Sequence, residues 1–523
     1  MARAQLLRGA AFLTVAGILV KLLGAAYRIP LSRLIGEEGI GLYQMAYPIY
    51  LVFSSLATAG IPLAISKLVA EGVARRDYYG VQRLFRGSLV LMAGFGLAGT
   101  VVMAGGASWF ARHLVANPRA CPVILAMSPA VVLMAVMSAF RGYFQGWQEM
   151  RPSGLSQLYE QVVRVVVLLF LAILLLPHGV EWAAVGAAFG ATAGALAGVA
   201  YLYRSYRRFQ AGLPLPAVTA RRGPLVSWQR RLFRLALPIA TASILMPLMQ
   251  AVDSVLVPGK LQQAGYSVSR ATTALGQLGN AWAVMYLPLI VTTSLAAGLV
   301  PAVAEALAKK DLNQLRGRIC EGYRVAAWVL PPAMMGLLIL GQGIYRLLYG
   351  GGPTRILVAM APGVFFLGWQ QVTAAILQGL GRPGLPLRHF GVGCLVKAMI
   401  TWFLVGRPRV GIYGAALATV VGSAVTASLN LLYVYGLTGA TGWWRSLAVP
   451  AFAAVVMGGA GLLLLEKTRT VTSLPLGELG LIIILGGIYI LVLLALGGIT
   501  ARDREEIRRI FQGNAVNLEE KKS

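Results

Sequence analysis

Residues 121–144 read Cys-Pro-Val-Ile-Leu-Ala-Met-Ser-Pro-Ala-Val-Val-Leu-Met-Ala-Val-Met-Ser-Ala-Phe-Arg-Gly-Tyr-Phe. A bilayer core about 30 Å thick is crossed by roughly 20 mostly apolar helical residues, and this stretch supplies them. A barrel strand would instead alternate in polarity over about ten residues, so the stretch is a helix. Windows of the same kind recur along the chain at 8–28, 42–66, 87–110, 121–144, 156–177, 181–203, 233–257, 277–304, 325–348, 355–379, 386–405, 411–436, 446–465 and 477–499. With 58% hydrophobic and 12% charged residues over 523 positions, too little polar surface remains to cover a soluble globule. The fold class is therefore an all-α polytopic membrane protein of about fourteen transmembrane helices. The first window imitates a signal peptide, with Arg3 and Arg8 ahead of an apolar run and Ala25 and Ala26 behind it. Lys21 interrupts that run and further spans follow, so it reads as a retained first helix.

The same stretch carries one half of an internal repeat at an offset of about 233 residues. Ala126-Met-Ser-Pro129 matches Ala359-Met-Ala-Pro362, Gln145-Gly146 matches Gln378-Gly379, Arg151-Pro152 matches Arg382-Pro383, and Gly186-Ala-Ala188 matches Gly414-Ala-Ala416. The expected organisation is an N-lobe of six helices over 1–204, a basic linker over 205–232, a C-lobe of six equivalent helices over 233–437, two extra helices over 438–500 and a tail over 501–523. Six is even, so the halves enter the membrane in the same direction as parallel repeats, an architecture of transporters in which two lobes rock about a central site.

A net charge of +28 would suggest nucleic acid in a soluble protein, but here the distribution of Lys and Arg carries the meaning. With the amino terminus in the cytoplasm, 31 of the 46 fall on cytoplasmic segments, 12 on outer segments and 3 inside spans, which places both termini inside. Residues Arg204 to Arg234 hold eight arginines and no acid, a linker suited to anionic headgroups at about 1 kcal/mol per basic residue. Membrane lipids, not nucleic acid, are the expected partners. Cys121, Cys320 and Cys394 are far apart with no CxxC spacing, and His113, His178 and His389 are scattered without HExxH. No metal, cofactor, catalytic triad or phosphate-binding glycine loop is indicated, and no enzyme is expected.

A charge at mid-bilayer costs roughly 2.5–3.5 kcal/mol even on the lenient insertion scale, so the exceptions point to a site. Gly17, Lys21, Gly24 and Arg28 share one face of the first helix; snorkelling to a headgroup is the alternative for Arg28. Gln157, Glu160, Gln161 and Arg164 form a second set in the fifth helix, where Glu160 and Arg164, one turn apart, suit a salt bridge. Arg164 maps through the repeat onto Lys397, which has no acid nearby in sequence, so each lobe places a cation at equivalent depth. Such cations around a cavity would attract an anionic substrate. Asp253 follows Pro247 and Gln250 in the seventh helix; pairing with a basic residue of the opposite lobe and binding of a coupling cation are both open to it. Gln145, Gln378, Gln277 and Asn280 read as helix-to-helix hydrogen bonds, and Pro62, Pro129, Pro238, Pro247, Pro288, Pro301 and Pro362 as kinks.

Four motifs in order carry a family resemblance. Ile35-Gly-Glu-Glu-Gly-Ile-Gly-Leu-Tyr-Gln-Met-Ala, Gly60-Ile-Pro-Leu-Ala-Ile-Ser-Lys-Leu-Val-Ala-Glu71, Arg141-Gly-Tyr-Phe-Gln-Gly146 and Ser156-Gln-Leu-Tyr-Glu-Gln-Val-Val-Arg164 resemble the stage V sporulation protein B family. That family lies in the polysaccharide transporter branch of the multidrug/oligosaccharidyl-lipid/polysaccharide flippase superfamily, beside the lipid II flippases. The resemblance is densest over residues 1–210. It implies a bacterial cell-membrane flippase that carries an undecaprenyl-pyrophosphate-linked sugar precursor, lipid II or a relative, from the inner to the outer leaflet by alternating access, for peptidoglycan or spore cortex. It also implies the company of cell-wall synthesis proteins, and a groove for the lipid tail in the last two helices. Lys21 matches a basic position in the first helix of the lipid II flippases, whereas Ser54 and Ser55 stand where those relatives carry arginines. The cavity expected on this basis is lined by Lys21, Arg28, Arg164 and Lys397, with Asp253 and Glu160 as ion-coupling groups or charge partners. A cation-coupled multidrug antiporter would need an acid-lined cavity and usually has twelve spans; a membrane scaffold would need no intramembrane charge at all.

Overall fold

A computed structural model describes residues 12–58 apart from positions 14, 18, 21 and 25, then 60–212, 248, 250–350, 355–440, 442–467 and 475–499. Every regular element among them is helical. Twelve helical stretches are long and apolar enough to cross a membrane. They cover thirteen of the fourteen expected windows, because Val15–Ala74 holds two and window 233–257 lies mostly outside the described residues. Most of the basic linker and the whole of the tail also lie outside them.

Helix α1 (Arg28–Thr58) begins well before the expected window at residue 42 and bends at Gly36, whose φ of 69° no helix interior adopts. Glu37 and Glu38 fall between the expected windows 8–28 and 42–66. They are carried in the helix because each has a partner: Gln277 donates to Glu37 and Arg119 to Glu38. The window ending at residue 66 is divided as well. Gly60, at φ 70°, separates α1 from α2 (Ile61–Ala74), and Pro62 stands in the first turn of the new helix, where a missing N–H costs nothing. Helix α3 spans Tyr78–Gly105. Pro129 breaks its span into α4 (Cys121–Met127) and α5 (Pro129–Gly146), whereas its repeat counterpart Pro362 sits within a continuous helix, Ile356–Gly379. Helices α6 (Met150–Leu175) and α7 (Val180–Ala211) follow as a hairpin.

The repeat is written in the backbone as well as the side chains. Left-handed residues recur at Arg76 and Lys310, at Ala116 and Gly350, and at Gln148 and Gly381, each pair separated by the repeat offset. Ala70-Glu-Gly-Val-Ala-Arg-Arg-Asp77 aligns with Ala304-Glu-Ala-Leu-Ala-Lys-Lys-Asp311. In both copies the aspartate caps the next helix: Asp77 accepts from Gly80 N at 2.8 Å, and Asp311 accepts from Asn313 N and Gln314 N at 2.9 Å. Two non-glycine residues tolerate positive φ here because the turn is tied down on both sides by helix caps.

The remaining helices are α8 (Val268–Ala308), α9 (Leu312–Tyr349), α10 (Ile356–Gly379), α11 (Gly384–Val405), α12 (Tyr413–Thr438), α13 (Trp443–Lys467) and α14 (Pro475–Ala495), with a further helical stretch over 250–263. The chain forms two compact units. One draws on Met1–Val284, Tyr349–Gly351 and Cys394–Ala418, so it includes residues from both sequence halves; the other draws on Met285–Leu348, Gly352–Gly393 and Thr419–Ser523. In the second unit the last two helices pack on α9. Ala453, Ala454, Met457, Leu481, Leu485 and Leu493 bury around Leu340, and Tyr489 donates to the carbonyl of Trp328 at 2.8 Å. Their other faces are open, with Leu462, Leu463, Ile483 and Leu491 all more than 60% exposed, as expected of side chains whose solvent is lipid.

Candidate functional site

In the first unit, α6 and α7 meet along glycines. A methyl group on Gly190 would press on Leu168 and the carbonyl of Arg164, and one on Gly194 would meet the carbonyl of Glu160. Small residues at this spacing allow two helix backbones to approach closely, as in membrane helix pairs generally. The approach fixes the part of α6 that carries Glu160 and Arg164.

Glu160 uses both carboxylate oxygens. Arg164 Nη2 donates to Oε1 and Arg141 Nη2 to Oε2, each at 2.9 Å, and the three side chains are 11–15% exposed. The pairing of Glu160 with Arg164 agrees with their spacing; the second arginine comes from α5. Arg141 is also held by Ser156, whose Oγ accepts from Nε at 3.0 Å. Along α1, Tyr43 stacks on Tyr47 at 5.5 Å and Tyr47 lies 6.0 Å from Tyr50. All three phenols fall within electrostatic reach of Arg164, while Arg28 has Tyr43 and Tyr47 as neighbours together with Tyr27 and Tyr349. Arg28 and Arg164, two cations of the expected set, both fall within electrostatic range of Tyr43 and Tyr47. Arg28 does not snorkel away: its Nη1 donates to the carbonyl of Gly279 at 3.0 Å.

Lys397 has an acid after all. Its Nζ lies 2.7 Å from Asp253 Oδ2, with the lysine 1% and the aspartate 8% exposed. Trp282 Nε1 donates to the same oxygen at 3.4 Å, and its ring centroid is 5.4 Å from Nζ. Both charges belong to the second half of the sequence, so Asp253 finds its base on α11 and not in the opposite lobe. Lys21 lies outside the described residues.

Around these groups, residues of the two halves are joined by a seam within the same unit. Gly41 faces the carbonyl of Thr272, and Gly276 faces the carbonyl of Glu37. Gly41 and Gly276 are 235 residues apart, close to the repeat offset, as are Glu37 and Thr272, so each half makes a contact like the one the other makes. Gln277 to Glu37 at 2.8 Å, Asn280 to Ser32 at 2.8 Å, Asn117 to Thr272 at 2.9 Å and Ser254 to the carbonyl of Gln44 at 2.7 Å extend the seam. Gln277 and Asn280 are therefore helix-to-helix contacts, as read. Beside it, Arg119 bridges Glu38 at 2.6 Å and Glu181 at 3.0 Å.

The sequence reading passed over Arg141, the three tyrosines of α1 and Trp282. Arg141 left a signal, as the sole charge in its apolar window. The tyrosines left only a helical spacing, which apolar packing shares.

Among the described residues no group of His, Cys, Asp and Glu could hold a metal ion. The arrangement gathers guanidinium groups, phenol hydroxyls and one carboxylate among apolar helices, a donor set whose chemistry suits an anion.

A family model described as polysaccharide biosynthesis protein matches residues 6–307. Stage V sporulation protein B of Bacillus subtilis (strain 168) is 32% identical over 438 residues, covering 82% of this chain and 83% of the relative. Lipid II flippase MurJ of the same organism is 28% identical over 441 residues, 80% of either chain. Among solved structures, one described as lipid II flippase MurJ in an inward closed conformation superimposes with a TM-score of 0.71 at 13% identity, covering 93% of this chain and 98% of the other. A multidrug resistance MATE family transporter of the MOP superfamily in an inward-facing conformation gives 0.66 at 15% identity, covering 83% and 98%. At these identities the structural likeness speaks for the fold alone.

Proposed function

This chain belongs to the polysaccharide biosynthesis protein family, and from that premise we propose that it is a flippase that moves an undecaprenyl-pyrophosphate-linked sugar precursor, lipid II or a close relative, from the inner to the outer leaflet. The observation that carries the proposal is the buried excess of cation over acid in the first unit: Arg141 and Arg164 both meet the single carboxylate of Glu160 at 2.9 Å, and the Nε of Arg164 is left without a partner among the described residues. Two guanidinium groups and adjacent phenol donors suit the several oxygens of a pyrophosphate, which guanidinium binds in bidentate fashion. Cargo of this kind is also named for a relative, the B. subtilis lipid II flippase.

The headgroup enters from the cytoplasm while the prenyl chain stays in lipid, and rocking of the lobes releases it outside. Arg28 and Arg164 make the main contact. Lys397 contributes through its pair with Asp253, and Lys21 enters on the strength of the sequence. Glu160 and Asp253 serve as charge partners. Both termini are cytoplasmic, and the setting is peptidoglycan or spore-cortex synthesis alongside cell-wall synthesis proteins. A cationic drug finds little here, because the acids Glu160 and Asp253 are each already engaged by a base.

Native mass spectrometry of the purified protein with lipid II and related undecaprenyl-pyrophosphate lipids tests this. Selective binding that is lost in a Lys21→Ala, Arg164→Ala variant is the expected result; no binding of any such lipid by folded protein would remove the proposal.

A further inference from the structure

We propose that Glu160 is a resident counter-ion, tethered by Arg141, that an anionic group of the transported lipid displaces from Arg164. This deepens the flippase function proposed above and rests on it.

The two arginines on Glu160 are not equivalent. Arg141 is tied at several points: Nε donates to Ser156 Oγ at 3.0 Å, Nη2 lies 3.7 Å from Met137 Sδ, and its own carbonyl accepts from Ser153 Oγ at 3.5 Å. Ser156 is anchored in turn to the carbonyl of Ser153 at 2.7 Å. Arg164 meets Glu160 through Nη2, and its Nε is buried with no hydrogen-bond partner among the described residues. A buried guanidinium N–H left unsatisfied is costly and is an opening for an acceptor oxygen. The same arginine lies within electrostatic reach of Tyr43 and Tyr47 and within hydrogen-bond reach of Tyr50.

An empty anion site in low dielectric has a problem that this triad solves. A guanidinium buried without a counter-charge is unfavourable, yet a permanent partner would exclude the substrate. Glu160 divides itself. With no lipid bound, one oxygen neutralises Arg164. When a phosphate oxygen takes Arg164, Glu160 keeps Arg141, so no buried charge is abandoned at any stage and the number of charged hydrogen bonds is conserved. A neutral headgroup offers nothing for Arg164 in exchange for the carboxylate, so the device selects for anionic lipids. On release, Glu160 competes for Arg164 and limits how tightly the cargo is held. Arg141 is on this account a positioning residue that acts through Glu160.

Opposite signs test it. Undecaprenyl pyrophosphate binding to the full-length protein is titrated by native mass spectrometry for the intact chain, Glu160→Gln, Arg141→Gln, Arg141→Lys and Arg164→Gln, each checked for folding by its thermal transition. Glu160→Gln removes the competitor and is expected to bind about tenfold tighter, the ratio that corresponds to one hydrogen bond to a charged group. Arg141→Gln leaves Glu160 free to grip Arg164 with both oxygens and binds about tenfold weaker; Arg141→Lys, which keeps the tether, restores affinity to within about threefold of the intact chain. Glu160→Gln combined with Arg164→Gln binds no better than Arg164→Gln alone. A purely structural triad would weaken binding in every variant. Equal or weaker binding by Glu160→Gln, while the intact chain binds, overturns the counter-ion role and leaves the flippase function standing. Absence of binding by every folded variant removes both. If Glu160→Gln does not fold, Arg141→Gln decides: weaker binding rescued by Arg141→Lys supports the tether, and unchanged or tighter binding overturns it.

Discussion

The ammonium of Lys397 rests 2.7 Å from Oδ2 of Asp253, with both side chains almost wholly buried. Two such charges are costly to bury and are tolerated because each is the other's solvent. Removing one strands its partner. Lys397→Met or Asp253→Asn alone is expected to destabilise the protein by about 3–5 kcal/mol, and the two together to recover most of that loss, as read by thermal unfolding in detergent. Full precursor export by a stable double variant would confine Lys397 to a structural role.

Gly41 and Gly276 make reciprocal contacts with the carbonyls of Thr272 and Glu37, and neither leaves room for a side chain. Gly276→Leu is expected to force the seam apart at a cost of about 1–3 kcal/mol. Gly298 lies in the same helix with open space where a Cβ would stand. Gly298→Ala is expected to be stabilising by about 0.5–1 kcal/mol through helix propensity. Chemical denaturation of the pair against the intact chain measures both signs at once.

Arg119 bridges Glu38 and Glu181 but is 39% exposed. Ion pairs so exposed contribute about 0.2–1 kcal/mol, so Arg119→Ala is expected to lower the thermal midpoint only slightly. A loss several times larger would mean that the bridge is closed off from water in the membrane.

Export itself responds to the cations. A Lys21→Ala, Arg164→Ala, Lys397→Ala variant that still expresses and inserts is expected to fail to complement loss of precursor export; normal export would dismiss the cationic cavity.

Orientation is open to direct labelling. In a chain with Cys121, Cys320 and Cys394 replaced by alanine, a cysteine at Ser267 is expected to react with a membrane-impermeant maleimide on intact cells, and one at Arg207 only after permeabilisation. Both positions are exposed, so the reversed pattern would place the termini outside.

Several features were legible in the sequence because they depend on local composition. Apolar windows located the spans, since a bilayer-length helix must be apolar throughout, and the duplicated motifs located the repeat that the left-handed pairs Arg76 with Lys310 and Gln148 with Gly381 later display. Helix ends were less legible: Glu37 and Glu38 fall outside the expected windows, and the partners that hold them in the helix, Gln277 and Arg119, are distant in the chain. Within the site, Glu160 with Arg164 could be read from a spacing of four, which a helix turns into a contact.

What sequence alone determined is that this is a helical, duplicated membrane protein with a few charges where charges are expensive, because span length, periodicity and charge asymmetry are properties of consecutive residues. Only the tertiary structure decided which charges neutralise one another. Asp253 and Lys397 are separated by 144 positions and meet at 2.7 Å; Arg141 and Glu160 are separated by 19 and meet at 2.9 Å across two helices. Electrostatic energy in a low-dielectric interior depends on distance through space, and helix packing sets that distance.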